Sequence, residues 1–271
     1  MSPRMIVVTG ASSGVGLAAA KRFAALGDHV AVVGRNPQRL GAAMAEIRAA
    51  ATGPEPAEFR ADFDKLDDVR RLAGELREAF PAIDVLANNA GGMVGRYTRT
   101  SDGFEATIQG NHLAPFLLTA LLRDRLSGGR VVNTASDAHK RNNLDPDDLV
   151  GSAGNYSSWR AYGASKASNI LFAAEAARRW PEVFSVSFHP GVVRSNFGTG
   201  AATKFFYKFA PFLVTPEKAG ELLVWLATTP AAELTDGGYY EGHKLTAPSG
   251  KAGDPAMAER LWEASAKAVG L

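Results

Sequence analysis

Cysteine is absent from the 271 residues. Disulfides, thiolate nucleophiles and zinc–thiolate centres are therefore excluded. An excess of one charge is missing too: 30 lysines and arginines stand against 28 aspartates and glutamates, a formal net charge of +2. The basic residues are scattered, so there is no electrostatic footprint for nucleic acid or an anionic membrane surface. No long hydrophobic run occurs. Met5-Ile6-Val7-Val8 is too short for a signal peptide and passes at once into glycine-rich sequence, and no window approaches the roughly 18 apolar residues of a membrane span. The five histidines, His29, His112, His139, His189 and His243, show no metal-ligand spacing. These absences together point to a cytoplasmic protein with no membrane span, no nucleic-acid partner and no metal.

What is present is a core. Hydrophobic residues make up 46% of the chain and charged residues 21%, in the range of an ordinary globular domain. Short apolar, β-branched runs read as strands at Met5 to Thr9, His29 to Gly34, Ala57 to Ala61, Asp84 to Ala87, Arg130 to Thr134, Phe184 to His189 and Gly238 to Glu241. Several are almost wholly apolar, as expected of strands buried on both faces of a parallel sheet. Helical patterns lie between and after them at Val15 to Leu26, Arg39 to Ala50, Leu66 to Phe80, Phe104 to Leu122, Ala161 to Arg179 and Ala256 to Ala268. This alternation predicts an α/β fold: one Rossmann-like, doubly wound parallel sheet of about seven strands, helices on both faces, in a single domain over residues 1–271.

Thr9-Gly10-Ala11-Ser12-Ser13-Gly14-Val15-Gly16 follows the first strand and opens a helix. Glycines here allow a tight turn and close backbone approach, and the helix start offers N–H groups and partial positive charge to a pyrophosphate. An ordinary strand–helix turn is the plain alternative, weakened because strand, helix and position agree. The second strand ends in Gly34-Arg35-Asn36 with no carboxylate. A carboxylate there would bond the ribose 2′-hydroxyl of NAD, whereas an arginine accommodates the 2′-phosphate of NADP. Arg35 can bond a phosphate bidentately, or be a solvated loop arginine.

The spacing Thr-Gly-x-x-x-Gly-x-Gly resembles that of the short-chain dehydrogenase/reductase family. Further motifs agree. Asp62-Phe63 after the third strand matches the family's adenine contact, although Asp62 can also cap the next helix. Asn89-Ala90-Gly91 matches the family's Asn-Ala-Gly turn. Tyr162-Gly163-Ala164-Ser165-Lys166 sets a tyrosine and a lysine on one helix face, one turn apart. A phenol of pKa about 10 is a poor base at neutral pH; a neighbouring ammonium favours the phenolate and makes Tyr162 a workable general acid/base. Lys166 reaches the nicotinamide ribose in the family. No other tyrosine has a lysine four residues on, and the nearest decoy, Tyr156, is followed by Arg160. Ser136 matches the catalytic serine, able to donate to the substrate oxygen. Asn111 matches the asparagine that supports a water beyond the lysine, while His112 beside it reads as packing or surface. Pro190-Gly191-Val192-Val193-Arg194-Ser195 matches the Pro-Gly motif, whose backbone, with help from Ser195, bonds the nicotinamide carboxamide.

The resemblance spans nearly the whole chain. It is greatest to the retinol dehydrogenase and WW-domain oxidoreductase branch, carried by Asn111-His112-Leu113, Phe116-Leu117-Leu118, Arg130-Val131-Val132-Asn133, Ser165-Lys166-Ala167-Ser168-Asn169 and Glu259-Arg260-Leu261-Trp262. It implies an oxidoreductase that uses NADP(H) in preference to NAD(H) on a small carbonyl or alcohol substrate. Departures bear on details. Many NADP-using relatives carry a basic residue where this chain has Ser13, so the preference rests on Arg35 with Arg39 nearby; the hydrophobic anchor of membrane-bound relatives is not seen. Many relatives pair through the helices that carry Asn111 and Tyr162, which admits a homodimer. The aromatic segment Phe205 to Phe212 can cap an apolar aldehyde or ketone, pack in the core or face a partner. A nucleotide-binding sensor without chemistry is the alternative function, opposed by retention of Ser136, Tyr162, Lys166 and Asn111. An extended epimerase or dehydratase needs a substrate domain for which there is no room.

Overall fold

The computed structural model describes residues 3–141, 144–193 and 213–271. They form one sheet in the order β3-β2-β1-β4-β5-β6-β7-β8, parallel except for the last pair. The strands are β1 (Met5–Thr9), β2 (His29–Gly34), β3 (Ala57–Arg60), β4 (Val85–Asn88), β5 (Arg130–Thr134), β6 (Phe184–His189), β7 (Tyr239–Glu241) and β8 (Lys244–Leu245). The chain order reverses between β1 and β4, the switch point at which open α/β sheets bind ligands.

The strand sequences explain the two layers. Along β1 the side chains alternate, so Met5 and Val7 enter one core with Leu86 and Val131, while Ile6 and Val8 enter the other with Val30 and Val132. Helices α1 (Gly14–Ala25), α2 (Pro37–Ala50) and α7 (Pro216–Thr228) cover the second face. The first is covered by α3 (Leu66–Ala79), α4 (Ala106–Ile108), α5 (Ala114–Leu121), α6 (Ser158–Arg179) and α8 (Pro255–Val269). In α3 the residues Leu66, Val69, Leu72, Ala73 and Leu76 form the buried stripe of an amphipathic helix. Trp262 of α8 packs edge-on against Phe116 of α5 at 5.0 Å and against Trp180 just after α6 at 4.7 Å.

Three features depart from the sequence expectation. Strand β8 adds a short antiparallel hairpin, an eighth strand. Helix α7, opened by Thr215 as its cap, joins the expected set. The stretch read as one helix over Phe104 to Leu122 is broken: α4 and α5 flank a π turn, Gln109–Leu113, with Asn111 at its centre. Pro115 has no N–H to send to the Asn111 carbonyl, which removes one bond of a regular α-helix there.

Candidate active site

Each glycine of the first turn has its own reason. Gly10 and Gly14 hold positive φ, 66° and 59°, the region that favours glycine. A Cβ on Gly16 would lie 2.5 Å from Asn89 Nδ2 and 2.6 Å from the Gly10 carbonyl oxygen, so α1 could not close on the turn. A Cβ on Gly14 would meet nothing within 4 Å, so this glycine borders open space. Ser13 precedes α1 but makes no side-chain cap, leaving the first N–H groups for another acceptor. The Asn-Ala-Gly loop is tied to the same place: Thr9 Oγ1 accepts the Asn89 and Ala90 N–H groups, each at 3.0 Å, and Asn89 Nδ2 donates to the Thr9 carbonyl at 2.9 Å. The open space beside Gly14 and the uncapped N–H groups fit a pyrophosphate.

Beside this turn lie two arginines. Arg35 is exposed, its guanidinium 3.4 Å from Asp64 and 3.7 Å from Asp62. Exposed pairs of this kind contribute about 0–1 kcal/mol, so a doubly charged phosphate can displace them. Arg39 Nη2 donates to Ser13 Oγ at 2.9 Å. A basic group thus stands where the sequence shows only serine. Asn36 caps α2, its Oδ1 accepting the Arg39 N–H at 2.9 Å. Asp62 does not cap α3; it accepts the Asp64 N–H at 3.2 Å. Phe63 is buried in the core.

Across the switch point the groups meet through side chains. Lys166 is 3% exposed, and its ammonium donates to the Thr134 carbonyl at 2.9 Å. Burial pushes its pKa down to about 8. Its Nζ lies 5.5 Å from the Tyr162 ring centroid. Tyr162 is half-buried and its ring sits 6.1 Å from that of exposed Trp159, one turn earlier. Asn169 reaches the same Thr134 carbonyl at 3.0 Å. Ser136 follows β5 by two residues, and its Oγ accepts the Ala138 N–H at 3.2 Å, leaving the hydroxyl proton to be given elsewhere. The Asn111 side chain clasps Gly92, donating to its carbonyl and accepting its N–H, both at 2.9 Å, and donates to Ser165 Oγ at 2.9 Å. A Cβ on Gly91 would lie 2.9 Å from Asn111 Oδ1 and 3.4 Å from Lys166 Nζ. Gly91, Asn111 and Lys166 therefore share one spot.

The sequence profile described as short chain dehydrogenase matches residues 4–204. A candidate daunorubicin C-13 ketoreductase of Streptomyces sp. (strain C5) is 52% identical over 267 residues, 98% of this chain and 93% of its own length. Human retinol dehydrogenase 13 is 34% identical over 283 residues, 99% of this chain and 85% of its own. The chain belongs to the short-chain dehydrogenase family. The dehydrogenase superposes on an uncharacterised protein of Mycobacterium paratuberculosis with a TM-score of 0.81 at 30% identity, covering 98% of this chain and 93% of the other. A short chain dehydrogenase of Shigella flexneri complexed with NADP gives 0.71 at 25% identity, with 90% and 98% covered. The dehydrogenase is thus an NAD(P)-dependent oxidoreductase acting on CH–OH or C=O groups.

In the dehydrogenase, Pro190 to Val193 run past the end of β6, Gly191 at φ 85° against Val214 and the Val192 carbonyl accepting the Val214 N–H at 2.9 Å. Ser195 and the Phe205 to Phe212 segment lie outside the described residues. Tyr156 is a latch, donating to Glu105 Oε1 at 3.0 Å and the Val94 carbonyl at 3.1 Å, with burial pushing its phenol up to about 12. His112 is buried among Phe116, Phe172 and Trp262, with Nε2 2.8 Å from Ser265 Oγ. Sequence reasoning passed over Trp159, Asn169 and His139, whose partners lie on other turns or elements.

Proposed function

We propose that the chain is an NADP-dependent carbonyl reductase or alcohol dehydrogenase for an apolar aldehyde or ketone, formed as one domain across residues 1–271. The observation that carries this reading is the buried Lys166 ammonium, pinned to the Thr134 carbonyl one turn from Tyr162. Desolvation lowers the lysine toward neutrality but leaves it charged at neutral pH. That charge favours the phenolate of Tyr162 and readies the hydroxyl as general acid for carbonyl reduction, or as base in the reverse direction. Ser136 donates its free hydroxyl proton to the substrate oxygen as charge develops there. Asn111 holds Gly92, and with it the Asn89-Ala90-Gly91 loop, against the lysine.

Gly10, Ser12, Ser13, Gly14, Val15 and Gly16 would cradle the pyrophosphate, and Arg35, Asn36 and Arg39 the 2′-phosphate. Asp62 and the Phe63 backbone would border the adenine. Asn89, Ala90 and Gly91 would line the ribose side with Tyr162 and Lys166, and Pro190, Gly191, Val192, Val193 and Ser195 the carboxamide. When bound, nicotinamide supplies or takes up the hydride; the protein moves the proton. On the substrate side, exposed Trp159 offers an aromatic wall beside Tyr162, which suits the ring-bearing substrates named for the ketoreductase and retinol dehydrogenase relatives. A homodimer belongs to this reading, and Trp262 of α8 packs on α5 and α6 of its own chain.

Fluorescence titration with NADPH and NADH side by side tests the cofactor assignment. Clearly tighter NADPH binding is expected. NADH preference would overturn the role given to Arg35, and failure of both would overturn the cradle.

A further inference from the structure

We infer that His139 is a positioning residue for Ser136, setting where the serine stands relative to Tyr162. The inference rests on the reading of Ser136 as donor to the substrate oxygen. Ser136 enters a tight turn, Asp137–Arg141, held at its start by the Asp137 N–H on His189 Nδ1 at 3.3 Å and further along by Lys140 on Glu241 at 3.3 Å, and three further contacts bear on Ser136 itself. The first is local, the Ala138 N–H on Ser136 Oγ. The second is α6: a Cβ on Gly163 would lie 2.7 Å from the Ala138 carbonyl oxygen, so the helix rests on the turn one residue beyond Tyr162. The third is the imidazole of His139, which is 0% exposed.

Both ring nitrogens of His139 are assigned by their partners. Nδ1 lies 2.8 Å from the Ser136 carbonyl oxygen, which has no proton, so Nδ1 carries the hydrogen and donates. Nε2 faces the Ser249 N–H at 3.3 Å, which can only donate, so Nε2 accepts. Ser249 Oγ stands at the same distance. The ring packs edge-on against Tyr239 at 5.1 Å, which holds its plane. The imidazole therefore ties the Ser136 carbonyl to the segment that leads into α8, Ser249 lying 110 residues from His139. Loss of that tie lets the Ser136 turn shift under α6, and small displacements of a reacting group cost disproportionately in rate.

Two isosteres separate positioning from bulk stability. Asparagine places its amide nitrogen near Nδ1 and keeps the bond to Ser136; glutamine places its amide oxygen near Nε2 and keeps the bond to Ser249. Turnover is followed with NADPH and para-nitrobenzaldehyde, alongside Tm. His139→Gln is expected to lose about ten-fold in kcat with KM for NADPH unchanged, and His139→Asn to stay within about three-fold of wild type, although both lower Tm. Equal loss in the two, or kcat that tracks Tm, overturns the inference. In a Ser136→Ala background His139→Gln should cost nothing further; a full additional loss also overturns it. Ser136→Ala with wild-type kcat would instead remove the catalytic reading of Ser136. Should the His139 variants not fold, heteronuclear NMR of the wild-type imidazole decides: a hydrogen on Nδ1 is expected, and one on Nε2 contradicts the assignment.

Discussion

Around the glycine turn the chain is held by its own backbone, whereas around Tyr162 it is held by side chains arriving from elsewhere. Gly10, Gly16 and Gly91 leave no room for a Cβ, and Thr9, Asn89 and Ala90 close the turn within two adjacent strands. On the other side, Lys166 and Asn169 reach back to Thr134, Asn111 reaches to Gly92, and His139 joins Ser136 to Ser249. In the proposed reading the first region presents rigid donors to the nicotinamide cofactor. The second sets proton-moving groups against one another and can be altered one side chain at a time. Substitutions should therefore act as steric faults in the first region and as graded losses in the second.

The largest effect is expected at Gly16. Gly16→Val places carbon 2.5 Å from Asn89 Nδ2 and 2.6 Å from the Gly10 oxygen, so titration should show NADPH binding lost by at least about 100-fold, in line with severe overpacking at a backbone contact. Unchanged affinity would mean that the turn is not closely packed. Arg35→Ala comes next. Losing a bidentate phosphate partner should weaken NADPH by about 10- to 100-fold and leave NADH unchanged. Arg39→Ala should do the same to a smaller extent, about three- to ten-fold, since Ser13 and Asn36 remain. Equal losses for both cofactors would place the arginines outside the phosphate contact.

In the second region the graded effect is pH. Lys166 is charged below about 8 and neutral above it. As pH rises through that value, the ammonium that favours the phenolate is lost and kcat/KM for carbonyl reduction should fall on the alkaline side. Lys166→Arg, whose charge persists, should lower the rate but carry that limb to higher pH; an unmoved limb would assign it to another group. The smallest effect is on stability. Burial pushes the His112 imidazole down to about 3, with neighbouring Asn169 opposing. The unfolded chain binds that proton from about 6.5 downward, so stability falls as pH drops from 6.5 toward 3. His112→Asn should melt lower at neutral pH yet show a flatter acid limb, as Tm measured against pH would reveal.

How much of this was legible in the sequence follows the same division. β1 and β2 read correctly because strands buried on both faces are almost wholly apolar, and β5 and β6 because β-branched and aromatic residues still mark them despite Asn133, Ser185 and Ser187. The glycine turn read correctly because its geometry is local. The π turn at Asn111 did not, because the apolar spacing on either side is that of one helix; Pro115 was the available sign. Arg39 lies 26 residues from Ser13, so the basic group missing at Ser13 could be found only in space. His139 is 110 residues from Ser249, and its absence from any metal spacing hid its use as a tie. Phe63, expected beside the adenine with Asp62, packs into the core, a direction that adjacency in the chain does not reveal.

The most direct test of the account is Tyr162→Phe, with NADPH binding and turnover measured on the same samples. The account predicts unchanged NADPH affinity and a fall in kcat of about 1,000-fold, the scale of a lost general acid. Turnover near that of the wild-type protein would contradict it.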